Sequence, residues 1–236
     1  MLISNSRKFI FLHIPKTAGT SLTNALAKST QWNDVVIGGT VFGESVEWYY
    51  RDTFNLDKHS SARKTQSVVG QDIWDEYFKF TFVRHPYTRA ISTYTYIQRM
   101  AQIKNLKGCI KAILGTHGIR QWPITKAYLA TNNFSDFIRH EKFKTAFFAA
   151  SQTKYLIDDS KKINLDFIGK LENLNEDFSK ISNKIELGKA DLEKKNISKK
   201  SFFLKKPSLV ESDYIYLQEL YKEDFDNFDY DPSLRL

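Results

Sequence analysis

The sequence predicts an α/β fold, and three observations carry that expectation. Each is an apolar run of strand length that stops at a turn and passes into a helical pattern. Phe9 to Leu12 precedes Ser21 to Ala27, Lys79 to Val83 precedes a helix opening at Pro86, and Leu165 to Glu172 precedes a helix from about Leu174 to Ile185. With 236 residues, 42% hydrophobic and 14% aromatic, the chain can build a sizeable core, and no Pro/Gly/Ser-rich linker divides it. One domain over 1–236 is the expectation.

The first unit is the most informative. Phe9-Ile10-Phe11-Leu12 has the aromatic and branched content of a buried strand, and Leu22 and Leu26 fall on one helical face. Between them, His13-Ile14-Pro15-Lys16-Thr17-Ala18-Gly19-Thr20-Ser21 reads as a tight turn into a helix start. Gly19 is expected to take backbone angles closed to other residues, with the hydroxyls of Thr17, Thr20 and Ser21 near the N–H groups that a helix start leaves unpaired. The helix dipole and those N–H groups favour a phosphate, and Lys16 adds a cation at the lip. The alternative is a strand-to-helix turn without a ligand. The loop is not the Walker A pattern, because the glycine before the loop is absent and the lysine precedes Gly19 instead of following it. That order suits a donor handled without an obligatory metal.

Further along, Asn33 to Gly39 reads as a second short strand closed by a glycine turn, and Glu44 to Arg51 as a helix. Ser60 or Ser61 can cap a helix that runs to Val69 and ends at Gly70. His59 therefore stands on the loop before a helix, a place where a solvated side chain is the commoner outcome than a base. Arg84 closes the strand at Val83. Pro86 suits the first turn of the next helix, which carries Ser92. Arg84 and Ser92 can converge on one ligand group at the carboxyl edge of the sheet, and a guanidinium with a hydroxyl suits a phosphate monoester.

Residues 98–122 are poorly patterned and basic, and they read as an excursion that carries acceptor specificity or as a solvated basic surface. Ile124 to Ala130 and Phe134 to Arg139 are helical, the second capped by Asn133 or Ser135. Glu172 ends the fourth strand, where a structural cap is its favoured role. The lysine-rich stretch 184–206 reads as a mobile loop or edge hairpin, and Ser208 to Phe228 as a closing helix with Tyr214, Leu217, Leu220, Tyr221 and Phe225 in a stripe.

Cys109 is the single cysteine, which excludes internal disulfides and agrees with a reducing compartment. No apolar run approaches the roughly 18 residues that span a bilayer, and the first expected strand leaves no room for a cleavable signal, so a cytoplasmic protein, at most peripheral to a membrane, is expected. The net charge of +8 favours anionic ligands.

Three pieces now stand in order: residues 13–21, Lys58-His59, and Phe82-Val83-Arg84-His85-Pro86-Tyr87-Thr88-Arg89-Ala90-Ile91-Ser92. Together they resemble carbohydrate sulfotransferases of the heparan-sulfate 2-O-sulfotransferase type, in their bacterial form. Weaker likeness runs through Ser151-Gln152, Phe167 to Leu174 and Asp224 to Tyr230. The resemblance implies a P-loop NTPase-like α/β fold, a central parallel sheet flanked by helices. It also implies 3′-phosphoadenosine 5′-phosphosulfate (PAPS) as donor, with no metal required. On that likeness, Lys16, Thr17, Ala18, Gly19, Thr20 and Ser21 hold the 5′ phosphosulfate, Lys16 assists the leaving oxygen, Arg84 and Ser92 hold the 3′ phosphate, and His59 is the general base. The acceptor is a hydroxyl, favoured as that of a carbohydrate; an acidic or lipid-linked saccharide suits the charge, and no nucleic-acid partner is expected. His85 departs from the Asp or Asn that many relatives carry between arginine and proline. Two rivals remain at this stage: an ATP-dependent phosphotransferase using the same loop, and a non-catalytic basic module that binds nucleic acid or acidic glycan.

Overall fold

The computed structural model describes residues 1–112, 121–188, 192 and 207–236, with the backbone alone for 102–112. Five strands among the described residues pair into one sheet: β1 (Leu2–Ser4), β2 (Phe9–Leu12), β3 (Val35–Val36), β4 (Phe78–Val83) and β5 (Phe167–Lys170), in the order β3-β1-β2-β4-β5. β2, β4 and β5 run parallel, with Phe11 opposite Phe80 and Phe82 opposite Gly169. β1 is antiparallel to both β2 and β3. The fold is therefore α/β with a mixed sheet around a parallel core.

The parallel strands form because their residues are apolar without interruption or nearly so. All four side chains of β2 are buried, as befits a strand covered on both faces. β4 carries Lys79, yet this residue is buried too, its Nζ donating to the carbonyls of Trp74 and Tyr77 and pairing with Asp166 at 3.0 Å. On one face Phe9, Phe11, Phe80 and Phe82 meet Leu22, Ala25 and Leu26 of helix α1 (Gly19–Ala27). Phe178 and Ile181 of a later helix, Leu174–Lys184, complete that core. Gly169 admits the Phe82 ring, since a Cβ there would fall 2.5 Å from it.

Two strand expectations are corrected. β1 precedes the strand expected to be first; three residues are too few to show a pattern, and pairing with β2 makes them a strand. The segment expected as a strand over 33–39 is one only at Val35–Val36, because Asp34 turns its carboxylate to Ser4, Ser6 and the Gln31 N–H, and Gly38 and Gly39 turn the chain at φ 67° and 76°.

The helices follow their caps. α2 (Val41–Phe54) starts where Thr40 accepts from the Gly43 N–H, and α3 (Ala62–Val69) where Ser61 accepts from Lys64 N–H. α4 (Gln71–Glu76) leads into β4, and α5 (Pro86–Ala112) leaves it. α5 carries helix well into the stretch read as an excursion, while 113–120 lie outside the described residues, as does most of 184–206. After α6 (Pro123–Leu129) come α7 (Phe134–Arg139), capped by Asn133, and α8 (Glu141–Lys144). α9 (Thr153–Leu156) precedes β5 and α10 (Leu174–Lys184) follows it. The expected closing helix is two, α11 (Glu211–Leu220) and α12 (Lys222–Asn227), broken at Tyr221, whose buried phenol donates to the Ala149 carbonyl.

The chain divides into two compact units, Met1–His85 with Gln152–Ser198 and Pro86–Ser151 with Lys199–Leu236. The first holds the sheet, α1 to α4, α9 and α10. The second is helical among its described residues. There Arg89 is buried with its guanidinium on the Ala150 carbonyl, and Tyr87 packs its ring against Tyr214 and Phe225. No helix among the described residues is long and apolar enough to cross a membrane.

Candidate active site

The carboxyl ends of the parallel strands carry the residues with chemistry. β2 runs into the loop 13–18 and α1 begins at Gly19. Lys16 and Ala18 hold φ at 71° and 64°, while Thr17 between them does not take a positive φ. Alternation of this kind curls successive N–H groups toward one concavity, the shape that receives an anion. Each left-handed residue without glycine costs roughly 1–2 kcal/mol. Two of them in three positions point to a loop shaped for a ligand rather than for stability. Ala18 caps α1 without a side-chain hydrogen bond, so the helix dipole opens toward the same concavity.

Two details of this loop correct the sequence reading. Gly19 needs no unusual φ, because it is the first residue of α1; it is required because a Cβ there would fall 1.9 Å from Cδ2 of His13. The Thr17 hydroxyl does not serve the helix start. It donates to the Ile14 carbonyl at 3.0 Å and closes the loop beneath the concavity. Thr20 is exposed and Ser21 buried.

His59 comes to this loop from the far side of α2. Its Nδ1 lies 2.7 Å from the His13 carbonyl, and its ring stands edge-on to the His13 ring at 4.5 Å between centroids. A carbonyl only accepts, so Nδ1 carries the proton and the lone pair of the neutral ring is on Nε2. The turn below is tied: Asp57 Oδ1 accepts from the His59 N–H at 2.7 Å, the Asp57 N–H donates to Ser60 Oγ at 2.8 Å, and Lys58 pairs with Glu44 at 2.9 Å. His59 is half-buried, not the solvated side chain that its loop position favoured. Burial pushes its pKa down to about 3, opposed by the bond to the His13 carbonyl and reinforced by the Met1 amino group, Lys58 and Lys16. His13 is held well below its usual range, first by burial and then by His59. Its Nδ1 is buried without a hydrogen-bond partner, a situation that costs about 1–3 kcal/mol.

Arg84 follows β4, and its Nη1 lies 3.4 Å from the Lys16 carbonyl, which puts the guanidinium beside the loop 13–18. Its backbone is clamped by Gln152, whose Oε1 accepts from the Arg84 N–H and whose Nε2 donates to the Arg84 carbonyl, both at 2.8 Å. Glu172 accepts from the His85 N–H at 2.8 Å and so caps that turn. Ser92 is half-buried on α5 and belongs to the second unit. The structure thus gathers residues 13–21, His59 and Arg84 at one edge of the first unit. His13 and Gln152 are site residues to which the sequence reading gave no role. Gln152 had a faint signal, standing in a segment of weak likeness; His13 had none beyond its place in the loop. No cluster of three or more metal-ligating side chains occurs among the described residues.

Comparison with known proteins adds three findings. A family model described as "Sulfotransferase family" matches residues 1–231. A protein of Archaeoglobus fulgidus, described only as uncharacterized, is 28% identical over 119 residues, spanning 50% of this chain and 76% of its own length. No solved structure matches the chain significantly.

Proposed function

Because this chain belongs to the sulfotransferase family, we propose that it moves the sulfuryl group of PAPS to a hydroxyl of an acceptor, a carbohydrate by the likeness of its motifs. The observation that carries the proposal is the contact of a base with an anion loop: His59, proton fixed on Nδ1, stands against a loop with left-handed residues at Lys16 and Ala18. The backbone N–H groups of Thr17 to Ser21 suit the 5′ phosphosulfate, which removes negative charge from water into fixed dipoles. Lys16 neutralises the oxygen that bridges phosphorus and sulfur as it leaves. Arg84 takes the 3′ phosphate that distinguishes this donor from ATP.

In the reaction the acceptor oxygen forms a bond to sulfur while the bond from sulfur to the bridging oxygen breaks in line. His59 Nε2 receives the acceptor proton, and the products are a sulfate ester and adenosine 3′,5′-bisphosphate. The low pKa of His59 keeps its lone pair available throughout the neutral range. Negative charge arriving on the loop raises that pKa toward the value a base requires, since an opposite charge favours the imidazolium.

Calorimetry with a metal chelator tests the donor site. Adenosine 3′,5′-bisphosphate binding is expected to be tighter than that of AMP or ATP and to weaken in Arg84→Ala. Lys16→Ala is expected to lower kcat by about 10²–10³. His59→Ala is expected to slow transfer while sparing donor binding. Magnesium-dependent ATP binding that exceeds the bisphosphate would replace the proposal with phosphoryl transfer, and full turnover in His59→Ala would remove the base assignment.

A further inference from the structure

The reaction above gives His13 no part, although the site is built around its ring. His13 is 5% exposed, and its ring stacks on Phe11 at 6.1 Å between centroids. Gly19 also lies against the ring, where a Cβ would fall 1.9 Å from Cδ2 and 2.1 Å from Nε2. His59 meets it edge-on, at an interplanar angle of 66°. Since Nδ1 has no hydrogen-bond partner, these contacts are what fix the ring. The same residue's carbonyl takes the His59 Nδ1–H. One residue therefore touches the opening of α1 with its ring and the base with both ring and backbone.

We propose that His13 is a positioning residue that couples occupancy of the phosphate loop to the orientation of the His59 imidazole. The inference rests on the reading of His59 as base. An anion on the α1 start draws the Gly19 backbone into one position, and the Gly19 Cα is the wall against which the His13 ring lies. With that wall fixed the ring cannot tilt, and the edge that fences His59 is fixed with it. The base is then aligned when the donor is present and less restrained when it is absent. Other charged groups face His59 as well: Lys58 from its own loop, Lys16 from the phosphate loop, and the Met1 amino group.

The test is imidazole 15N NMR of the full chain with and without adenosine 3′,5′-bisphosphate, which reads His59 without requiring turnover. In the wild type, ligand binding is expected to shift the His59 ring resonances. In His13→Ala, which keeps the carbonyl and removes the ring, the bisphosphate Kd is expected to change by less than about threefold, while the ligand-induced His59 shift is lost and kcat falls about 10–100-fold at little changed donor KM. His13→Phe restores a ring and is expected to restore the shift, which also serves if the alanine variant does not fold. Bisphosphate binding with an unchanged His59 response in His13→Ala overturns this inference alone, as does a lost response in a folded His13→Phe. Failure of the wild type to bind the bisphosphate overturns the functional reading and this inference with it.

Discussion

Gln152 holds the backbone of Arg84 from both sides, and it does so from a position with no solvent exposure. Gln152→Ala removes two partly buried hydrogen bonds at once, and is expected to destabilise the fold by about 1–3 kcal/mol in urea denaturation. It is also expected to weaken adenosine 3′,5′-bisphosphate more than AMP in calorimetry, because Arg84, whose backbone it holds, is the group proposed for the 3′ phosphate; equal weakening of both would assign Gln152 to folding alone. The two histidines make a second prediction. Burial lowers the His59 pKa from 6.5 to about 3 and moves His13 in the same direction. Between those values the unfolded chain binds more protons than the folded one, so stability is complete above about pH 6.5 and is lost as pH falls toward 3. One such histidine gives a slope of about 1.4 kcal/mol per pH unit, and urea midpoints at intervals from neutral pH to about pH 4 would measure it. His13→Phe is expected to reduce the slope, and a wild-type midpoint that does not move over this range would show that the histidines titrate as solvated groups.

Element by element, the piece that supports the His59 loop is α2, which buries Gly43 and leaves Val41, Phe42, Trp48 and Tyr49 exposed. Its start is fixed by backbone contact: a Cβ at residue 43 would lie 2.5 Å from the Gly38 carbonyl oxygen, and Glu44 accepts from the Gly39 N–H while pairing with Lys58. Gly43→Ala forces a backbone shift and is expected to cost about 1–3 kcal/mol in thermal or urea denaturation. Thr40→Ala, which removes only the cap, is expected to cost about 1 kcal/mol. Equal effects would mean that the Gly38 turn yields easily. The same scale shows why some elements were legible in the sequence. β2, β4, α1 and α10 could be read because continuous apolar strands and periodic helix faces are local signals. β1 could not, since three residues become a strand only by pairing, and the break at Tyr221 follows no local pattern. Lys16 to Ser21 and Arg84 drew notice because strand ends that pass into a helix are a local signal, whereas His59, on the loop before α3, was singled out by the resemblance of the motifs and not by its own surroundings. The His13–His59 and Gln152–Arg84 contacts join residues 46 and 68 positions apart, a separation on which no sequence periodicity bears.

For the molecule as a whole, charge acts over the longest range. Lys and Arg number 35 against 27 Asp and Glu, a net +8 that would attract the multiply anionic donor proposed for the loop before it makes contact. Salt sets the reach of that attraction: the screening length is about 10 Å at 0.1 M and about 3 Å at 1 M. Lys16 and Arg84 act at contact distance in the proposed complex, where screening matters less. The two contributions therefore separate in the kinetics, steering in the association rate and contact in the dissociation rate. With a fluorescent adenosine 3′,5′-bisphosphate analogue in stopped flow, kon is expected to fall about tenfold between about 0.05 M and about 0.5 M salt, while koff changes less than about threefold. Arg84→Ala is expected to raise koff at every salt concentration and to leave the salt slope of kon nearly unchanged, because one charge in 35 barely alters the distant field. The reverse pattern, a flat kon with a koff that climbs steeply with salt, would mean that the nucleotide is held by solvated surface lysines, and a ligand so held has no need of the left-handed Lys16 and Ala18 that shape the loop.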